Sequence, residues 1–316
     1  MTPRIATVSL NSAVDQTVTV PGFTADAVNR VAASRIDAGG KGVNVASFLA
    51  HFGHGVAVTG LLGVENEALF ARHFAAAGLK DACLRRPGAT RTNVKIVDPL
   101  QQQVTDLNFP GIAAAPADLD AVAAKLTDLL AQGLDWVALC GSLPEGLGPD
   151  AYAHLTAIAR KGGARVAVDT SGPALALALD ACPDIVKPNT AELGAHLGRD
   201  LADLETVMAA ARDLIAEGVG LVAVSMGEAG AVLARADEIA LAIPPATGVA
   251  STVGAGDAMV AGLIHSATLD LSLPETAALA TAFSLGALGE IGPHLPSQDR
   301  ITALARTVTV KTLGPV

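Results

Sequence analysis

Short apolar runs alternate with longer amphipathic ones along most of this chain. RIATVSL and GVAVTGLLG are nearly continuous apolar stretches, the pattern of strands buried on both faces. Between them, residues 43–52 carry apolar positions at helical spacing and stop at Gly53. ENEALFARHFAAAG reads as a second helix, with Gly78 as its stop. After residue 110 the alternation resumes with helix 117–132, strand DWVALCG, helix 150–161, strand ARVAVD, helix 173–180, strand DIVKP and helix 203–217. Strands follow within 219–244, and the last third, from 257, reads as helical. Such alternation predicts βαβ units, a mainly parallel sheet and right-handed crossovers. No repeat, low-complexity linker or composition break divides the chain, so residues 1–316 are read as one domain.

Two segments, about 12–36 and 89–110, do not fit this scheme. Each is extended and alternating, without a helix. In TRTNVKIVD, Arg91, Asn93 and Lys95 share one face and Thr92, Val94 and Ile96 the other. In VDQTVTVPG, Asp15, Thr17 and Thr19 oppose Gln16, Val18 and Val20; Asp106 and Asn108 likewise share a face. The pattern predicts a small accessory sheet, polar and cationic on one side, that closes over a site and pairs with a second subunit through its apolar side. An ordinary amphipathic hairpin with a solvated polar face has the same pattern.

Composition narrows the chemistry. The chain is 51% hydrophobic and 3% aromatic, so its core is built from Ala, Val, Leu and Ile. A net charge of −10 argues against nucleic acid or an anionic membrane face as partner, but a small anionic ligand needs only local cations. Cys83, Cys140 and Cys182 are far apart without metal spacing, and read as reduced thiols of a cytoplasmic protein. No basic stretch followed by a long apolar one opens the chain, and no run is apolar enough to span a bilayer.

Glycine loops carry the candidate chemistry. In AGGKGVN, Gly39, Gly40 and Gly42 surround Lys41 where a helix opens, with Asn44 one turn in. Backbone N–H groups at such a turn can approach an anion, and Lys41 adds a full charge. The spacing is not that of a P-loop. In STVGAGDA, Gly254, Ala255 and Gly256 precede Asp257 at another helix start. A carboxylate beside a row of free amides suits phosphoryl transfer, as base and anion hole; Asp257 as a plain N-cap is the simpler alternative. Asn189 and Glu192, in KPNTAE, are spaced to share a helical face, either reaching Mg²⁺ or merely starting a helix. CGSLPEG and VSMGEAG end strands, where ligands bind in α/β folds. His51 and His54, three apart on the first helix, read as packing or surface residues.

In this order, AGGKGVN, CGSLPEG, KPNTAE and STVGAGDA resemble the ribokinase-like (PfkB-type) carbohydrate kinases over nearly the whole chain. The resemblance implies a three-layer α/β/α fold with a mainly parallel central sheet and a small β-sheet lid that often forms a dimer contact. It makes Asp257 the general base, with Gly254, Ala255 and Gly256 as anion hole. It gives Asp15, Gly39, Gly40 and Asn44 to the sugar, and Lys41, Arg91, Arg30, Lys95 and Ser142 to a phosphate the sugar already carries. Lys187, Asn189, Ser225, Gly227, Gly230 and Thr252 would border ATP, and Glu192 with Asn189 would meet Mg²⁺, indirectly. A monovalent cation is left open, because the segment after 280 lacks the polar residues the family places near one. Ser12 stands where the family usually has proline, a departure that leaves Asp15 in place. The cationic strand favours a phosphosugar over a free sugar, and the resemblance implies fructose 1-phosphate ahead of tagatose 6-phosphate and fructose 6-phosphate. A non-catalytic sugar-phosphate sensor is the rival of another class. The partners expected are the phosphosugar, ATP and a second copy of the chain.

Overall fold

The structure, a computed structural model, describes residues 2–246, 254–290 and 293–314. The chain runs β1 (Ile5–Ser9), β2 (Ala13–Thr19), β3 (Ala33–Gly39), α1 (Lys41–His51), β4 (Val56–Gly63) and α2 (Glu67–Ala77). Four strands follow: β5 (Lys80–Asp81), β6 (Leu84–Arg86), β7 (Thr92–Asp98) and β8 (Gln103–Leu107). Next come α3 (Pro116–Leu130), β9 (Trp136–Cys140), α4 (Ala151–Lys161), β10 (Arg165–Asp169), α5 (Gly172–Asp180), β11 (Ile185–Val186) and α6 (Thr190–Leu197). The chain closes with α7 (Leu204–Ala216), β12 (Leu221–Ser225), β13 (Ala231–Arg235), β14 (Glu238–Ile243), α8 (Ala255–Thr268), α9 (Leu273–Leu288), α10 (Gln298–Ala305) and β15 (Thr309–Thr312).

The main sheet has the order β15-β14-β13-β12-β11-β10-β9-β1-β4-β5, with β6 also on β4. From β12 through β4 neighbouring strands are parallel, and β13, β14 and β15 add an antiparallel edge. Alternate strand residues serve opposite layers. Ile5, Val56 and Trp136 face α1, α2, α8 and α9, with Phe48, Phe70 and Phe283. Ala6, Ala57 and Val137 face α3 and α4, with Leu126 and Tyr152. This is the expected mixed α/β architecture with a mainly parallel central sheet.

The two extended segments come together as a separate four-stranded sheet, ordered β3-β2-β7-β8. Its register sets rows of side chains. Asp37, Asp15 and Asn93 lie across one row, and Arg35, Thr17, Lys95 and Asp106 across another. The rows between them carry Ile36, Gln16, Val94 and Leu107 on the opposite face.

Four expectations need correction. DIVKP gives a strand of two residues, because Pro188 has no N–H for the ladder and the chain turns into α6. The last third is not all helix: Thr309–Thr312 pairs with β14. The first helix starts earlier than predicted, at Lys41, and ends at His51 before Gly53 with φ 84°. His54 therefore lies beyond the helix that carries His51, and packs its ring against His265.

Candidate active site

A cavity of about 550 Å³ opens between the small sheet and the carboxyl ends of the parallel strands. This is where open α/β sheets bind ligands, because loops and helix starts converge there. Asn11 follows β1, Gly141 and Ser142 follow β9, Thr170 follows β10, Lys187 follows β11 and Ser225 ends β12; all line it. The small sheet contributes Asp15, Thr17, Asp37, Arg91, Asn93, Lys95, Asp106 and Asn108. The polar faces predicted from alternation thus form one wall.

The start of α8 supplies the opposite side. Gly254 is its N-cap, at φ 74° and ψ 1°, and has no side chain of its own to cap the amides of the first turn. Glycine takes this left-handed conformation without strain, which lets the turn present N–H groups outward. Asp257 is not the cap. It lies within the first turn, buried, and its Oδ2 accepts a hydrogen bond from Asn44 Nδ2 at 2.8 Å. Burial pushes its carboxyl up, and the Asp169 charge pushes the same way; Lys41, Asn44 and Lys187 pull back, leaving it at about 6. A carboxylate held there is ionised at neutral pH and still basic enough to take a proton. Asn44 lines the cavity, and its Oδ1 is buried without a hydrogen-bond partner among the described residues.

The glycines around Lys41 are demanded by the chain itself. A Cβ on Gly39 would stand 2.0 Å from Asp15 Oδ2, one on Gly40 2.9 Å from Ser12 Cα, and one on Gly42 2.9 Å from Val8 O. Their missing side chains seat Asp15 and let α1 start directly against β1, so the site gains its shape from internal packing. Ser12 is buried there and donates to Ser9 Oγ at 3.0 Å, a side-chain bond in place of the family's proline. Burial raises the Asp15 carboxyl above its usual range, against hydrogen bonds from Asn93 and the Gly40 amide and the charges of Lys95 and Arg91.

The four cavity cations differ in their company. Lys41 Nζ lies 3.1 Å from both Asp169 oxygens, and Lys187 Nζ 3.4 Å from one of them. Burial disfavours the charge of Lys41, but Asp169, Asp257 and Glu192 outweigh it and hold the ammonium firmly protonated. Asp169 is itself fully buried, yet Lys187 and Lys41 keep its carboxyl below the usual range. Lys95 pairs with Asp106. Arg91 alone of the four, among the described residues, is held by backbone carbonyls rather than a carboxylate. Its guanidinium donates to Asn11 O at 3.0 Å, Phe109 O at 2.9 Å and Ser12 O at 3.4 Å.

Several predicted site residues are placed otherwise. Arg30 is exposed and does not line the cavity. Gly227 and Gly230 flank a tight turn outside the lining; a Cβ on Gly230 would stand 1.9 Å from Ala242 O, so strand packing explains it. Thr252 lies outside the described residues. Asn189 and Glu192 form a capping box, Asn189 Oδ1 accepting from the Glu192 amide at 2.8 Å and Glu192 Oε2 from the Asn189 amide at 2.9 Å. Both still line the cavity. Asp169, Asn11 and Asp37 were not predicted. Only the position of Asp169 at the end of ARVAVD, a parallel strand, could have flagged it.

A family model described as pfkB family carbohydrate kinase matches residues 5–300. The chain belongs to that family. The kinase is 84% identical over 316 residues to a 1-phosphofructokinase of Rhodobacter capsulatus, covering all of both chains. It is 47% identical over 290 residues to a 1-phosphofructokinase of Xanthomonas campestris pv. campestris, covering 90% of this chain and 91% of that one. Among solved structures it superposes on phosphofructokinase-2 from Escherichia coli, crystallised with substrates and products, with a TM-score of 0.88 at 27% identity; the match covers 96% and 98% of the two chains. The kinase family implies ATP as phosphoryl donor, and no helix of the described residues is long and apolar enough to cross a membrane.

Proposed function

We propose that this kinase transfers the γ-phosphoryl group of ATP to the C6 hydroxyl of fructose 1-phosphate, giving fructose 1,6-bisphosphate and ADP. The observation that carries this reading is Arg91, a cavity cation without a carboxylate partner among the described residues, on the wall facing Asp257. A sugar that already bears a phosphate supplies the missing anion. Full-length similarity to 1-phosphofructokinases favours fructose 1-phosphate over the 6-phosphates.

The reaction follows from the residues. Asp15, Asn44 and the Gly40 turn hold sugar hydroxyls, and Arg91, with Lys95 and Ser142, holds the existing phosphate. Asp257 takes the proton of the attacking hydroxyl as its oxygen bonds to the γ-phosphorus and the bond to the β-phosphate oxygen breaks. The first-turn amides of Ala255, Gly256 and Asp257 meet charge developing on the transferred group. Lys187 stands beside them, its Nζ 3.6 Å from where a Cβ on Gly256 would be. Lys41 and Lys187 share one carboxylate, Asp169, so the trio keeps a net positive charge toward the phosphates. The small sheet acts as a lid that excludes water.

No three His, Cys, Asp or Glu side chains among the described residues cluster to hold a metal alone. One carboxylate at the cavity, Glu192, fits Mg²⁺ that arrives with the nucleotide and keeps its waters. Bound there, Mg²⁺ would neutralise phosphate charge. Ser225 and Asn189 border the nucleotide end, and the cytoplasm is the compartment proposed.

The test is a coupled ATP assay with Mg²⁺, with and without potassium. Fructose 1-phosphate, fructose 6-phosphate, tagatose 6-phosphate, fructose and ribose are ranked by kcat/KM. Fructose 1-phosphate should lead. Arg91→Ala should raise its KM by roughly 10- to 100-fold, the worth of a charged hydrogen bond, with the KM for ATP nearly unchanged. A different leading phosphosugar would change the acceptor; equal losses for both substrates would remove Arg91 from its role; binding without turnover would make the protein a sensor.

A further inference from the structure

The small sheet and the start of α8 face each other across the cavity mouth, and a polar cluster joins them. On the sheet, Asp37 stands directly across from Asp15 in the β2–β3 register. Two carboxylates so placed repel and loosen the pair unless one is compensated. Asp37 is compensated: Arg35 Nε donates to both its oxygens, at 2.9 and 2.8 Å, and its side chain is only 15% exposed. Burial would lift the Asp37 carboxyl, but contacts with His294 and Arg35 hold it below its usual range.

The partner comes from the other side of the mouth. Pro293 lines the cavity, and its Cα is 3.7 Å from where a Cβ on Gly254 would stand. The next residue, His294, brings Nε2 within 3.7 Å of Asp37 Oδ1 and takes a hydrogen bond from Arg35 Nη2. This segment is anchored at its far end to α1, where His51 Nε2 donates to Pro296 O at 2.9 Å and Gln298 Nε2 donates to His51 O at 2.7 Å. The Asp37 contact is therefore made by a braced segment that also abuts the phosphoryl-binding turn.

We propose that His294 is a positioning residue. Through Asp37 and Arg35 it clasps the small sheet to the α8 turn and so fixes the separation between the sugar-phosphate end of the cavity and its phosphoryl end. This role rests on the proposed phosphosugar reaction, in which the acceptor bridges those two ends. Transfer needs the hydroxyl oxygen near van der Waals contact with phosphorus, and a misplacement of about 1 Å costs as much as 10²-fold in rate. The imidazole Nε2 accepts from Arg35, which in turn donates to Asp37, so the guanidinium joins the two. Arg35, Asp37, Asp15 and the nearby His73, which meets Ser47 Oγ at 2.7 Å, are the titratable groups around it.

Four variants test the clasp: His294→Ala, His294→Gln, Asp37→Asn, and His294→Ala with Asp37→Asn. Each is assayed for kcat and both KM values, and for hydrogen exchange without ligand. His294→Ala should lower kcat/KM for the phosphosugar roughly 10-fold and leave the KM for ATP within about twofold. Glutamine, which can accept from Arg35 and donate to Asp37, should restore most of the loss. The double variant should be no worse than the poorer single one. Amides of β3 should exchange faster in His294→Ala while those of β1 and β9 do not, with Tm unchanged. Additive losses, a Tm drop with uniformly faster exchange, or β3 exchange equal to the parent protein's would each overturn the proposal. Exchange needs no substrate, so a parent protein inactive on every sugar would end the proposed reaction while the clasp stayed measurable.

Discussion

Asp257 shows how one residue carries opposing demands. The fold buries its carboxylate at the cost of stability, and the same burial raises its basicity, as the proposed role of base requires. Its ordinary value near 4 is raised to about 6, so the folded state keeps a proton between those limits that the unfolded chain has lost. Stability therefore falls as pH rises through that window, and the full cost is present above it. In the proposed reaction activity runs the other way, since the ionised form would accept the proton. We expect kcat/KM to rise tenfold per pH unit below about 6 and to level off above it. Asp257→Asn should lower kcat by roughly 10²–10⁴-fold. It should also stabilise the protein at pH 7–8 by on the order of 1–3 kcal/mol, a gain that fades toward pH 4. Urea titrations at the two pH values, beside the rate, check both halves. A variant with near-normal turnover would leave Asp257 as helix-start structure.

At the scale of elements, the cavity is an assembly of starts and ends: the first turns of α1, α6 and α8, the residues just past β9 and β10, and the last residue of β12. Gly254 is the sharpest case. Its φ of 74° turns the chain into α8 without placing a capping side chain over the first amides. Gly254→Ala places a Cβ in a left-handed conformation, at a cost of about 1 kcal/mol. Relief of that strain would swing the amides, so kcat should fall by more than the loss in Tm accounts for. Unchanged kcat would mean that the turn is not the anion site. These starts were legible in the sequence because glycine, Asn and Asp mark them whatever lies elsewhere in the chain. The βα alternation was legible for the same local reason. Asp169 was not: it acts through Lys41, 128 residues away, and Lys187, which only the order β11-β10-β9-β1 brings together. A glycine such as Gly230, which fits against a neighbouring strand, looks in sequence like one that fits against a nucleotide. Arg30 lies outside the cavity lining: a cation near a substrate strand in sequence need not enter the cavity in space.

For the whole molecule, a net charge of −10 is compatible with the proposed anion site because the cavity gathers Lys41, Arg91, Lys95 and Lys187 in one place. The small sheet that carries two of them has a second face. Ile36 and Leu107, at the ends of one row, are 55% and 46% exposed, with Gln16 and Val94 between them; Phe109 nearby is 49% exposed. Apolar surface concentrated on a thin sheet, whose other side is committed to ligand, is the pattern of a contact with a second copy. A sheet covered this way would also hold its polar wall more rigidly over the cavity. We expect the protein to sediment as a dimer at micromolar concentration. Ile36→Glu with Leu107→Glu should shift it to monomer without loss of secondary structure, because neither residue is in the core. The monomer should show a higher KM for the phosphosugar, since the wall bearing Arg91 loses its support, while the main sheet and Asp257 remain in place. Sedimentation velocity and steady-state kinetics on the same samples decide it. A parent protein that sediments as a monomer, or a charged pair that leaves the dimer intact, would rule out this face as the contact.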